Sequence, residues 1–221
     1  MVKINISIQK KDLWLLSAIM IFLIGVGYVV AIGENYQIHG HDSDEINLPA
    51  CGSGQILKYS GGIWSCQNDA GRVVQVVNTQ TGAVATGTGV IPYDNTIPQI
   101  TEGTNFMALS ITPTSATNKL KIDVVIHLQE GTGGNTVVTA ALFQNAISNA
   151  LAVSFSQNGI TYPDPSISFT YYMAAGTTSP TTFSVRAGRD TAGTFTFNGV
   201  NGVGMYGGAL SSSITITEIQ Q

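Results

Sequence analysis

The sequence predicts an all-β fold, a β-sandwich or jelly roll, preceded by a single N-terminal transmembrane α-helix and a short disulfide-tied hairpin. Three observations carry that prediction. About ten short runs alternate apolar and polar residues after residue 71. One long apolar run lies near the N-terminus, and two cysteines frame a Gly-Gly turn. The expected layout is a cytoplasmic basic tail over 1–12, a transmembrane anchor or signal segment over 13–33, a polar stalk carrying the Cys51–Cys66 hairpin over 34–70, and the β domain over 71–221.

Composition bounds the function. Charged residues are 10% of 221 and the net charge is −4, against a usual charged share of about 25%. No basic face is implied, so nucleic acid is not an expected partner. Hydrophobic residues reach 43%, enough to bury a core. Abundant Gly, Thr, Ser and Asn suit strands and tight turns better than helices.

The run LWLLSAIMIFLIGVGYVVAIG over 13–33 holds no charge. At about 1.5 Å per residue it matches a hydrocarbon core of about 30 Å. Lys3, Lys10 and Lys11 precede it, while Glu34, Asp42, Asp44 and Glu45 follow. This bias predicts a single-pass membrane protein with a cytoplasmic N-terminus and an extracellular C-terminal domain. A secretory signal cut after Gly33 is the alternative, although its apolar core usually spans about 7–15 residues. A pilin-type leader fits less well, because Lys11-Asp12-Leu13 breaks its pattern.

In the stalk, the His39-to-Glu45 stretch is polar and acidic but lacks a closed ligand set, so it reads as a solvated spacer. QILKY and IWSC form two strand-like pieces about Ser60-Gly61-Gly62. Cys51 and Cys66 are placed to tie this hairpin, worth about 3 kcal/mol in chain-entropy terms. The stretch resembles the GQxLxxxGxxWxC modules of bacterial and phage surface fibres.

Strands are predicted over 72–78, 106–112, 119–129, 137–144, 151–156, 167–173, 181–188, 194–198, 205–210 and 213–219. The run over 119–129 is the clearest. Leu120, Ile122, Val124, Ile126 and Leu128 share one face, and Lys119, Lys121, Asp123, Val125 and His127 the other. From residue 137 to the end, charge is confined to Asp164, Arg186, Arg189, Asp190 and Glu218. Part of so neutral a surface is expected to be buried between subunits. Tyr171, Tyr172, Met173, Met205 and Tyr206 are candidate interface residues, since aromatics and Met are enriched at interfaces.

A series of motifs runs through this region: GRVVQVVNT from Gly71, IPYDNTIPQ from Ile91, Glu102-Gly103, ITPTSATNKL from Ile111, AALFQ from Ala140, TFSVRAG from Thr182 and SITITEI from Ser213. Together, over roughly residues 71–219, they resemble a tail-fibre-like domain common in phage and environmental sequences. The resemblance implies a jelly roll similar to C1q and TNF domains, which trimerises and presents loops to a receptor. GHDSDEI from Gly40 resembles the GHxxxEI that follows the membrane span of archaeal surface proteins, which favours a cellular surface protein over a virion part.

No catalytic constellation emerges. The histidines are His39, His41 and His127, and there is no G-x-S-x-G elbow. GTGG from Gly131 lacks the Lys and helix of a phosphate loop. Asp94 and Glu102 flank a Pro-containing loop as a conceivable pair of glycosidase acids, and no calcium-loop motif joins them to Asp164 or Asp190. Two stiff aromatic loops stand out as candidate ligand contacts: Tyr93 with Asp94, and Tyr162 with Asp164. Tyr beside Asp offers ring stacking plus directed hydrogen bonds, as a sugar requires. The expectation is thus a non-enzymatic adhesion or receptor-binding protein, homotrimeric, without cofactor or metal, facing a surface glycan or protein receptor. Its rival is a structural subunit of an envelope layer or filament.

Overall fold

Strands form wherever β-branched and aromatic residues alternate with polar ones. The computed structural model describes residues 10, 14, 17–21, 49–52, 54–130, 136–157 and 166–221. It divides into two units, Met1–Gln67 and Asn68–Gln221.

In the first unit, β1 (Gln55–Ser60) and β2 (Ile63–Asn68) make a two-stranded sheet. Gly61 and Gly62 close the turn at φ +62° and +87°, left-handed values that glycine adopts without steric cost. The expected disulfide joins Cys51 to Cys66, with Cα atoms 5.2 Å apart. The Tyr59 and Trp64 rings pack with centroids 5.2 Å apart.

The membrane expectation requires correction. Residues 10, 14 and 17–21 are helical, but among the described residues no helix is long and apolar enough to cross a membrane. An apolar run is necessary for a spanning helix and does not by itself make one. The single-pass placement, with a cytoplasmic tail and an extracellular domain, is therefore not upheld. The rest of 13–33 and the 39–45 stretch lie outside the described residues.

The second unit is a β-sandwich. One sheet is built on β6 (Lys119–Glu130), which pairs along one edge with β9 (Ser166–Ala174). On its other edge lies β14 (Ser212–Ile219), which pairs in turn with β3 (Val73–Thr81). Beyond Val125 this edge passes to β11 (Phe195–Phe197), which pairs with β4 (Ala85–Gly87). The second sheet runs β5 (Thr104–Ile111), β10 (Thr181–Arg189), β7 (Val137–Gln144), β8 (Ala152–Gln157). A small ladder of β12 (Gly199–Val200) and β13 (Val203–Gly204) precedes β14.

Leu120, Ile122, Val124, Ile126 and Leu128 are buried as the alternation predicted. They form one core with Val138, Ala140, Leu142, Phe183, Val185, Ile214 and Ile216. Three polar devices close the sandwich. Asn198, at φ +54°, sits where β14 gives way to β11. Its Nδ2 donates to the Thr81 and Ala83 carbonyls, and its Oδ1 accepts from Ser212 Oγ. The Arg189 guanidinium lies 3.3 Å from the Glu130 carboxylate, joining the ends of β10 and β6. Glu218, fully buried, accepts at Oε1 from Thr114 N and Oγ1, Ser115 N and Asn118 Nδ2, and at Oε2 from Gln75 Nε2.

Nine of the ten predicted strands of this unit are present within a few residues. The tenth, over 205–210, is instead a 3₁₀ turn at Tyr206–Gly208. Tyr206, Gly207 and Gly208 all have positive φ, which no extended strand permits.

Candidate functional site

The segment between β4 and β5 carries IPYDNTIPQ and lies flat on the outer face of the second sheet. Glycine permits this approach. A Cβ on Gly188 would meet Ile91 N and Cγ1 at 2.8 Å, and one on Gly89 would meet the backbone of Gly103 at 2.3 Å. Ile91 is buried with Ala141 and Phe143 from the outer face of β7 in a second small core. Ile91 N donates to the Arg189 carbonyl at 2.8 Å. Arg186 donates to the carbonyls of Glu102 and Gly103 at 2.7 and 2.8 Å. At its far end the segment is tied to the β7–β8 connection: Ile100 N to Ser148 O, Ala150 N to Pro98 O and Gln99 Nε2 to Asn149 Oδ1.

Held this way, the segment forms one wall of a cleft of about 550 Å³, and β8 forms the other. That volume lies within the range of about 300–1,000 Å³ usual for small-ligand sites. Tyr93, Asp94, Thr96 and Ile97 face Val153 and Phe155 across it, with Pro92 and Pro98 at its edges. The Tyr93 and Phe155 rings meet at 5.2 Å with a 59° tilt, and they remain 60% and 51% exposed. Asp94 Oδ1 accepts from Thr96 N at 2.8 Å and Thr96 Oγ1 at 2.6 Å. These two bonds, the hydroxyl's first, hold the Asp94 carboxyl below its ordinary value. Asp94 is the one charged residue among the described residues lining the cleft.

Of the four sequence-predicted contact residues, Tyr93 and Asp94 fall in this cleft. Tyr162 and Asp164 lie outside the described residues, as does GTGG from Gly131. Glu102 does not line the cleft, and its Oε2 accepts from Gln99 N. Phe155 and Val153 were absent from the sequence prediction, though their signal is present. Val153 and Phe155 alternate with Ser154 and Ser156, a pattern that assigns the apolar pair to the core. The structure inverts it: both are exposed and the serines are half-buried.

The candidate interface residues are not brought together. Tyr171 and Met173 are half-buried and pack on the core. Tyr172 is exposed opposite Lys121, near the C-terminal end of β14. Met205 is half-buried and Tyr206 is 80% exposed, both before the start of β14, at the other end of the sheet. His127 is half-buried, and its N–H donates to Ser212 Oγ. A second cavity, of about 540 Å³, lies over Arg189 and Gly193. Its cation is already paired with Glu130. Among the described residues no three His, Cys, Asp or Glu side chains are grouped to hold a metal ion.

No family model matches the sequence, and no curated protein matches it. Solved structures similar to the chain include the infectious bursal disease virus VP2 subviral particle, at 14% identity and a TM-score of 0.32, covering 78% of this chain and 43% of that one. Another is dimeric latent PorU from Porphyromonas gingivalis, at 9% identity and a TM-score of 0.31, covering 75% and 14%. A third is the enzymatically active domain of tailspike protein 4 of bacteriophage CBA120, at 13% identity and a TM-score of 0.21, covering 57% and 19%. The chain spans less than half the length of each.

Proposed function

We propose that this chain is a non-enzymatic receptor-binding or adhesion protein whose jelly-roll head presents the Tyr93–Phe155 cleft to a partner. The carrying observation is that two aromatic rings stand more than half exposed in a preformed cleft. Isolated exposed apolar residues are commonplace, whereas a concave cluster with a directed polar group is the signature of a binding site. Among the described residues one carboxylate lines the cleft, which supports binding over hydrolysis by paired acids. The jelly-roll reading is supported by the strand order. Taking β3 with β4 and β14 with β11 as continuous rows, four strands face four, and consecutive rows switch sheets at every step except the β7–β8 hairpin.

The test is retention of the full chain on isolated cell envelopes of a microbial panel. The wild-type chain is expected to bind at least one envelope, and Y93A/F155A to lose that binding with its melting temperature unchanged. Undiminished binding by the double variant rejects the cleft as the contact site.

The second reading, a structural subunit, is favoured by the outer face of the β3–β14–β6–β9 sheet. It carries Asn78, Thr215, Thr217, Thr170 and Ser168, and of its few charges Lys121 and Asp123 pair at 2.8 Å. Either reading accommodates a homotrimer. Light scattering of the fragment 68–221 is expected to give three times the monomer mass, and a monomer would reject assembly through this unit.

A further inference from the structure

We infer that the Tyr93–Phe155 cleft takes a neutral saccharide and discriminates against acidic ones. The inference rests on the cleft being the binding site, and it names the ligand class. Ring geometry decides first. Centroids 5.2 Å apart place the two rings in direct contact, so no ammonium group fits between them as in an aromatic cage. They form instead one bent platform. Such a platform suits a flat ligand face bearing C–H groups, and a pyranose offers that face.

The polar group decides next. Asp94 Oδ1 is occupied by both donors of Thr96. Among the described residues nothing donates to Oδ2, which leaves an ionised acceptor beside the platform. A carboxylate acceptor selects a ligand rich in O–H donors. The Thr96 hydroxyl, having donated to Asp94, presents lone pairs to a further hydroxyl. Among the described residues no Lys, Arg or His lines the cleft to balance Asp94, so a sugar carboxylate or sulfate would meet an unscreened like charge. A long aliphatic ligand would satisfy Ile97 and Val153 but leave Oδ2 without a partner. The backbone carrying these groups is already stiff, with Pro92 and Pro98 at the edges and Thr96 closing a turn on Asp94. Little ordering is then required on binding.

The experiment is saturation-transfer NMR of the full chain. The probes are methyl glycosides of glucose, galactose and mannose, together with N-acetylglucosamine, glucuronate and N-acetylneuraminate. At least one neutral sugar is expected to receive saturation and to bind about fivefold more tightly than the acidic pair. Y93A and F155A are each expected to weaken it about tenfold. D94N is expected to weaken the neutral sugar and to narrow the gap to the acidic ones. A preference for the acidic sugars overturns the inference, as does neutral-sugar binding indifferent to Y93A and F155A. Silence of all six probes, while Y93A/F155A still abolishes envelope retention, also rejects the saccharide assignment but leaves the cleft as the contact site. Loss of the Y93A/F155A effect on envelopes rejects both.

Discussion

Glu218 is a carboxylate inside the protein that no cation pairs with among the described residues. Burial pushes its carboxyl up, but bonds from Gln75, Asn118 and Thr114 outweigh burial and hold it below its ordinary value. Folding is therefore linked to its ionisation. The folded group titrates below its unfolded value of about 4.3. Its stabilisation is complete above that value and is lost as pH falls through the folded pKa. E218Q is expected to cost about 1–3 kcal/mol at neutral pH, because an amide cannot accept all five donors. The gap between E218Q and the wild type should close in acid denaturation curves taken below about pH 4. A gap that stays constant with pH would show that Glu218 contributes through packing alone. Of the residue-level reading, Tyr93 and Asp94 were legible because a Pro-flanked aromatic turn is local chemistry. The role of Glu218 was not, since its partners lie up to 143 positions away.

At the scale of elements, the segment from Gly89 to Gly103 matters most to the site. It is a long connection that stays ordered because it covers a strand face. Every residue of β7 from Val137 to Phe143 is buried, the inner ones by the opposite sheet and the outer ones partly by Ile91. G188A places a methyl group against Ile91 and is expected to destabilise by about 1–3 kcal/mol. Because Ile91 anchors the wall bearing Tyr93, the same variant should shift the Tyr93 and Phe155 NMR resonances. Unmoved resonances would detach the cleft from this anchor. The hairpin of β1 and β2 behaves as a separate element. Its disulfide closes a sequence separation of 15, so C51S/C66S is expected to lower hairpin stability by about 3 kcal/mol. The melting temperature of the sandwich should not move in calorimetry. A shift there would show that the two units unfold as one.

For the whole molecule, scarce charge is made scarcer by folding. Arg189 is buried against Glu130, Glu218 is enclosed, and Arg186 is engaged by loop carbonyls. From residue 137 onward the described surface is therefore almost free of charge. Association through such a surface does not depend on ion pairs. The mass of the 68–221 fragment by light scattering is expected to be the same in low and high salt. Dissociation in high salt would point to an interface through Lys119, Lys121 and Asp123.

The sequence by itself determined the all-β character, nine strands of the second unit, the inward face of β6 and the Cys51–Cys66 pairing. Each of these follows from period-two alternation, turn residues or short separation, all local quantities. It misjudged two elements. The apolar run over 13–33 satisfied a length and hydropathy rule without yielding a spanning helix among the described residues. The 205–210 stretch is framed by apolar residues like a short strand, but Gly207 and Gly208 carried it into a turn. Tertiary structure alone decided which face of β8 points outward, because alternation fixes two faces without saying which meets the core. It also decided that Phe155 joins Tyr93, since only the pairing of β8 with β7 and the anchoring of the Gly89–Gly103 segment bring residues 62 positions apart into one cleft.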